Sequence, residues 1–298
     1  MRRGTYSIVA RDPQTGEVGV AVQSHWFSVG SVVPWARAGV GAVATQSIGE
    51  PSYGPGALDL MAAGAAAGEA LERLLGADPR SRFRQVAVVD ASGRVAVHTG
   101  ESCIAFAGDR TGDGYGAQAN MMAGPEVWPA MARAFEGSEG PLARRMLVAL
   151  RAAEAAGGDA RGRQSAAIVV APAEGEPWRL SVDLRVEDHP EPLDEMERLL
   201  DLSDAYRLAS EGDDLVGQGR HGEAAERYTR AGALAPGNHE LLFWSGLSAA
   251  QGGDLETAVA RVREAIALQP GWGKLLDRLR PDIAPSAAAV RAALRERA

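Results

Sequence analysis

The sequence predicts an α+β fold: two mainly antiparallel sheets with helices packed outside them, then an all-helical segment. Three observations carry this. Short apolar runs of strand character recur from Thr5 to about residue 187, separated by turn signals. Helical stretches interrupt them without the regular strand–helix alternation of a doubly wound sheet. From Glu187 the chain becomes polar and Pro-rich in EDHPEP, and beyond it looks helical throughout.

The elements follow in order. TYSIVARD and EVGVAVQSH flank DPQTG (12–16), a hairpin turn by composition. GVGAVATQS is a third strand. ALDLMAAGAAAGEALERLL (57–75) has the spacing of one helix. RQVAVVDASGRVAVHTG is a second hairpin, turning at 90–93. CIAFAG and GYGAQANMM are read as short strands, 126–136 and 141–156 as helices, and QSAAIVVAP and EPWRLSVDLRV as the last strands. The domain reading is 1–187, then a linker with the start of a first helix (188–203), then a helical domain (204–298).

That last domain carries an internal repeat. Gly219, Ala224, Ala231, Leu234, Pro236 and Gly237 recur 34 residues later as Gly253, Ala258, Ala265, Leu268, Pro270 and Gly271. The spacing and the closing A-x-x-L-x-P-G resemble tetratricopeptide repeats over about 204–272, with a capping helix to 298. The resemblance implies a protein or peptide partner, or self-association into a homo-oligomer. The plainer reading is a helical cap on the first domain.

Composition bounds the function. The chain has 298 residues, 46% hydrophobic and 23% charged, with a net charge of -8. This is globular, and the acidic balance speaks against nucleic acid as a partner. Apolar runs are short and broken, so no membrane span is expected. No apolar stretch follows Arg2 and Arg3 as a secretory signal would require. Cys103 is the single cysteine and has no disulfide partner in the chain. These features together point to a cytoplasmic protein.

Common catalytic motifs are absent: no GxGxxG after a strand, no Walker loop, no HExxH and no GxSxG. DRTGDG (109–114) lacks the acidic spacing of a calcium loop. His25, His98, His189, His221 and His239 are scattered without ligand spacing, so neither metal nor cofactor is expected. Lys274 is the single lysine, which removes Lys from the chemistry of the first domain. Thr5 remains. Its hydroxyl is a weak nucleophile that needs a base, and the α-amino group of a terminal Thr is within reach by construction. Gly4 before it leaves the hydroxyl room to reach the preceding carbonyl.

TYSIVARDPQTGEVGVAVQS resembles the opening hairpin of the N-terminal-nucleophile (Ntn) hydrolases, in which a strand begins at the nucleophile, turns and returns. TYSIVARDP, VGSVVPWARAGVGAVATQ, PSYGP, YGAQANMMAGPEV, GGDARGRQSAA and LRVEDHPEPL resemble the Ntn-like family DUF1028 over about 5–195. The resemblance implies an αββα sandwich and, by superfamily, hydrolysis of an amide-type bond through Thr5. Members commonly place Thr directly after Met; here Arg2, Arg3 and Gly4 intervene. Three outcomes stay open: self-cleavage at Gly4–Thr5, a later natural start, or a Thr5 that is never freed. The Asp and Lys that flank the nucleophile in proteasome-like members do not transfer, and Gln23 stands where the Asp would fall. His25 or Arg37 is left to supply positive charge.

Around Thr5, Asn120 is the candidate oxyanion donor, at the end of a strand in QANMMAGPE. Its plain alternative is a hydrogen bond to its own turn. Ser7, Ser24, Thr45 and Gln46 are expected to line the cleft, with Tyr53 in its wall. Asp159, Arg161, Arg163, Gln164 and Ser165 form a polar cluster before a buried strand, and Arg there would favour an anionic substrate; the plain alternative is a solvated loop with a helix cap. Three readings follow: an amidohydrolase of small amides, ureides or N-acyl compounds; a non-catalytic scaffold whose repeats do the work; and a peptidase whose repeats present substrate.

Overall fold

The computed structural model describes residues 4–296. Of the segment 1–4 that precedes Thr5, residues 1–3 lie outside the described residues. The chain divides into two compact units, Met1–Arg198 and Leu199–Ala298.

The first unit contains β1 (Thr5–Arg11), β2 (Val18–Ser24), β3 (Pro34–Arg37), β4 (Gly41–Ser47), α1 (Tyr53–Ala62), α2 (Ala67–Ala77), β5 (Arg84–Asp90), β6 (Val95–Thr99), β7 (Gly108–Gly112), β8 (Tyr115–Asn120), α3 (Val127–Glu136), α4 (Leu142–Ala155), β9 (Ser165–Ala171) and β10 (Val182–Val186). One sheet has the order β10-β9-β2-β1-β8-β7 and the other β3-β4-β5-β6. Every pairing is antiparallel. Alternation gives each sheet two apolar faces. Val9, Val18, Val20, Val22, Ala42, Ala44, Ala87 and Val89 pack between the sheets. Val43, Val86 and Val88 turn outward onto Ala57, Leu58 and Met61 of α1 and Ala67, Ala70 and Leu71 of α2. Helices α3 and α4 cover the other sheet.

The expected hairpins form for the reasons their turns suggest. Asp12 Oδ1 accepts the N–H groups of Gln14 (2.8 Å) and Thr15 (3.0 Å), closing the turn between β1 and β2. Asp90 does the same for Ser92 at 2.9 Å between β5 and β6.

Three elements differ from expectation. The single helix 57–75 is two, because Gly64 adopts φ +97° and ends the first. β3 carries no strand signal in the sequence: it is four residues long and opens with Pro34, as an edge strand allows. CIAFAG is not a strand; GDRTG pairs with β8 instead. β7 is an edge strand with an exposed centre, so it carries no apolar period to read.

Helix α5 (Pro192–Gly217) carries the chain into the second unit. There follow α6 (His221–Leu234), α7 (His239–Gln251), α8 (Leu255–Leu268), α9 (Gly271–Arg278) and α10 (Ala287–Glu296). The side chains of Asn238 and Asp254 cap α7 and α8 by accepting backbone N–H groups. The 34-residue spacing superposes α6 on α8, and packing repeats with it. A Cβ on Gly212 would lie 2.8 Å from the Tyr228 ring, and one on Gly246 would lie 2.8 Å from Val262. Both members of the second pair stand 34 residues after those of the first, so one close helix–helix approach is used twice. Among the described residues no helix is long and apolar enough to cross a membrane.

Candidate active site

The layer between the sheets is apolar at one end and polar at the other. β1 begins Thr5, Ser7 before Val9 on its inward face. β2 and β4 reach this end last, with Ser24 and Gln46; β5 begins there with Gln85, and β8 closes with Gln118 and Asn120. Antiparallel register does the gathering: Thr5 lies opposite Ser24 on one side and Asn120 on the other. All seven side chains are at most 1% exposed. Buried polar groups must bond to one another, and here most do.

The amides form a chain. Gln46 Nε2 donates to the Thr5 carbonyl (3.1 Å) and to Gln85 Oε1 (2.8 Å). Asn120 Nδ2 donates to the same Gln85 oxygen (2.9 Å) and faces the Thr5 carbonyl at 3.5 Å. Ser7 donates to Gln46 Oε1 at 2.7 Å and accepts from Gln118 at 3.2 Å. The carbonyl of Thr5 is therefore clamped from two strands. The residues just after both clamping amides, Ser47 (φ 72°) and Met121 (φ 59°), are left-handed. That conformation costs about 1–2 kcal/mol for a non-glycine residue.

On the other side of Thr5 stands the Gly4 carbonyl. Its oxygen accepts from Thr5 Oγ1 (2.6 Å), from Arg161 Nη2 (2.8 Å) and from Ser24 Oγ. Thr5 Oγ1 and Ser24 Oγ are 3.1 Å apart. Arg161 is itself aimed by Asp159: Nε to Oδ1 at 3.0 Å and Nη2 to Oδ2 at 2.8 Å. The Asp159 side chain is wholly buried and also accepts the N–H groups of His25 (3.1 Å) and Arg161 (3.0 Å). A carbonyl oxygen facing a guanidinium and a hydroxyl is polarised for attack, and the same donors suit an oxyanion.

Other candidates fall elsewhere. His25 meets this cluster through its backbone; its side chain is on an exposed residue. Arg37 lies opposite Gly41, at the far end of β4 from Gln46, and its guanidinium holds Asp59 at 2.8 Å. It supplies no charge to Thr5, because β3 runs away from the polar end. Thr45 points away from Ser7 and Gln46, as alternation requires, and donates to the Glu50 carbonyl. Tyr53 sits on the outer helix layer, its hydroxyl on Asp78. Burial and Asp78 push that phenol up to about 12. Gln164 bonds Asp188 (3.1 Å). Ser165 is opposite Ser24 in register but bonds the Trp26 carbonyl and the Val29 N–H. Gln23 pairs with Tyr6, on the face turned from Thr5. Tyr6 donates to Glu154 (2.7 Å), and burial, then that carboxylate, hold its phenol well above the usual range. Burial also raises the Cys103 thiol, and its sulfur lies 3.4 Å from the Arg84 carbonyl.

Gln85 is at the centre of the network, and no motif in its sequence surroundings singles it out as a site residue. Its strand reads RQVAVVD, where one amide among apolar residues is the signal. DRTGDG forms β7 and its turn. Among the described residues no three His, Cys, Asp or Glu side chains gather as metal ligands would.

Residues 5–196 match DUF1028, described as a family of unknown function. The chain belongs to the DUF1028 family. A solved structure of the same family, the crystal structure of protein SPO2555 from Silicibacter pomeroyi, is 32% identical. The match covers 66% of this chain and 88% of that one, with a TM-score of 0.61. No curated protein matches. The family segment contains every side chain of the polar network, from Thr5 to Arg161, and ends before the helical unit.

Proposed function

We propose that this DUF1028 chain is an amidohydrolase of the Ntn type, with an αββα sandwich, that acts on a small amide, ureide or N-acyl compound through Thr5. One observation carries the reading. The carbonyl preceding Thr5 is held by Arg161, Ser24 and the Thr5 hydroxyl itself.

The first reaction is cleavage at Gly4–Thr5. Thr5 Oγ1 bonds to the Gly4 carbonyl carbon, and Arg161 and Ser24 stabilise the oxyanion. The C–N bond breaks, the hydroxyl proton passes to the departing α-nitrogen, and an ester links Gly4 to Oγ1. Water hydrolyses it, releasing the Gly4 carboxylate and restoring the hydroxyl. The freed α-amine, with a pKa of about 8, then serves as base when Oγ1 attacks a substrate. Gln46, Asn120 and Gln85 act as positioning residues, because they fix the Thr5 carbonyl. The helical unit, read as tetratricopeptide-like, binds a protein or peptide partner or joins copies of the chain.

Intact mass tests this directly. Purified protein should begin at Thr5, Thr5→Ala should keep residues 1–4, and Thr5→Ala should be inactive against a panel of N-acyl compounds and ureides. A second reading, a non-catalytic scaffold, is favoured by the complete burial of Thr5. Wild-type protein that retains residues 1–4 selects it.

A further inference from the structure

The Gly4 α-carbon marks where the acyl half of a substrate would sit, and one side of that position is filled. A Cβ built on Gly4 would lie 2.8 Å from each carboxylate oxygen of Asp159 and 2.9 Å from its carboxyl carbon. Contacts under 3.0 Å are not tolerated, so either the substituent or Asp159 must move. Asp159 is poorly placed to do so. Its side chain has no exposure, and its two oxygens accept from His25 N–H, Arg161 N–H, Arg161 Nε and Arg161 Nη2. Its backbone is bridged to Met122. Displacing it also moves Arg161, whose Nη2 donates both to Asp159 and to the Gly4 carbonyl. A misfit at the α-carbon is thereby transmitted to the group that stabilises the oxyanion.

We infer that Asp159 sets the acyl specificity of this site. Acyl groups with no L-substituent on the α-carbon, such as acetyl and glycyl, are accepted; L-aminoacyl groups larger than glycyl are refused. The inference rests on Thr5 being the nucleophile and names the substrate class of that same site.

The test uses the full chain and two readouts. Intact mass over time follows cleavage after residue 4 in wild type, Gly4→Ala, Asp159→Ser, Gly4→Ala with Asp159→Asn, and Gly4→Ala with Asp159→Ser. Thermal melts show that each variant is folded. Gly4→Ala should slow cleavage by roughly 100-fold, the scale on which a steric pocket rejects a surplus methyl. Asn has the shape of Asp and should not rescue; Ser opens the space and should recover part of the rate. Processed wild type is then given acetyl, glycyl and L-alanyl anilides, with the first two expected to be cleaved about 100-fold faster than the third. Gly4→Ala cleaved at the wild-type rate overturns the filter while leaving Thr5 as nucleophile. So does an L-alanyl anilide turned over as fast as the glycyl one. A folded Gly4→Ala, Asp159→Ser chain that stays intact, while Asp159→Ser alone is cleaved, overturns it as well. If wild type itself keeps residues 1–4, the reading of Thr5 fails and the filter falls with it.

Discussion

Two glutamines in this fold are both wholly buried and should respond oppositely to the same substitution. Gln85 Oε1 accepts from Gln46 (2.8 Å) and Asn120 (2.9 Å), and its Nε2 has the Ala119 carbonyl (2.9 Å), Thr99 Oγ1 (3.0 Å) and the Gly108 carbonyl (3.2 Å) as acceptors. Two N–H groups serve two of those acceptors at a time, so four bonds are made together. At about 1 kcal/mol net each, plus partners left unpaired, Gln85→Met should cost roughly 3–5 kcal/mol. Gln23 has neither Oε1 nor Nε2 bonded among the described residues. A buried amide without partners costs about 1–3 kcal/mol, so Gln23→Met, nearly equal in volume, should gain about 1–2 kcal/mol. Urea unfolding at unchanged slope gives both values from the midpoints. A loss of more than about 1 kcal/mol for Gln23→Met, or no loss for Gln85→Met, would refute the reasoning.

Other predictions concern separate regions. Hydrogen bonding from Arg84 holds the Asp78 carboxyl below its usual range, so its stabilisation is present above about pH 4 and is lost as the pH falls further. Melts from pH 7 to 3 should show wild type losing more stability than Asp78→Asn. In the helical unit, Gly246→Ala presses a methyl onto Val262 and should cost about 1–3 kcal/mol. Gly232→Ala, with open space around it in α6, should instead gain about 0.5–1 kcal/mol; equal effects from the two would contradict the packing described. Burial raises the Cys103 thiol, so iodoacetamide at pH 8 should modify it more slowly than free cysteine, with the rate rising as pH increases. Modification at the free-cysteine rate would show the thiol to be exposed.

Much of the fold was legible because its signals are local. The two hairpins follow from Asp12 and Asp90, each of which closes its own turn, and the helices α3 and α4 from apolar spacing. β7 was not legible, because an edge strand needs no apolar face, and neither was the break at Gly64, because its neighbours are all good helix formers. The site divides the same way. Thr5 stood out by its place after Gly4 at the head of a strand, and Ser7, Ser24, Gln46 and Asn120 as polar residues near strand ends. Arg37, Thr45 and Tyr53 carried equal weight in the sequence but lie elsewhere.

By itself the sequence determined the strands that carry an apolar period, which of their residues alternate inward, and that a 34-residue unit repeats. Those properties depend on neighbours along the chain. Only the tertiary structure decided that Arg161 reaches the Gly4 carbonyl, that Gln85 joins Gln46 to Asn120, and that Asp159 fills the space beside Gly4. Those contacts span 35 to 157 residues, and they are fixed by strand register and sheet stacking. No local pattern encodes which polar ends will meet when two sheets close on each other.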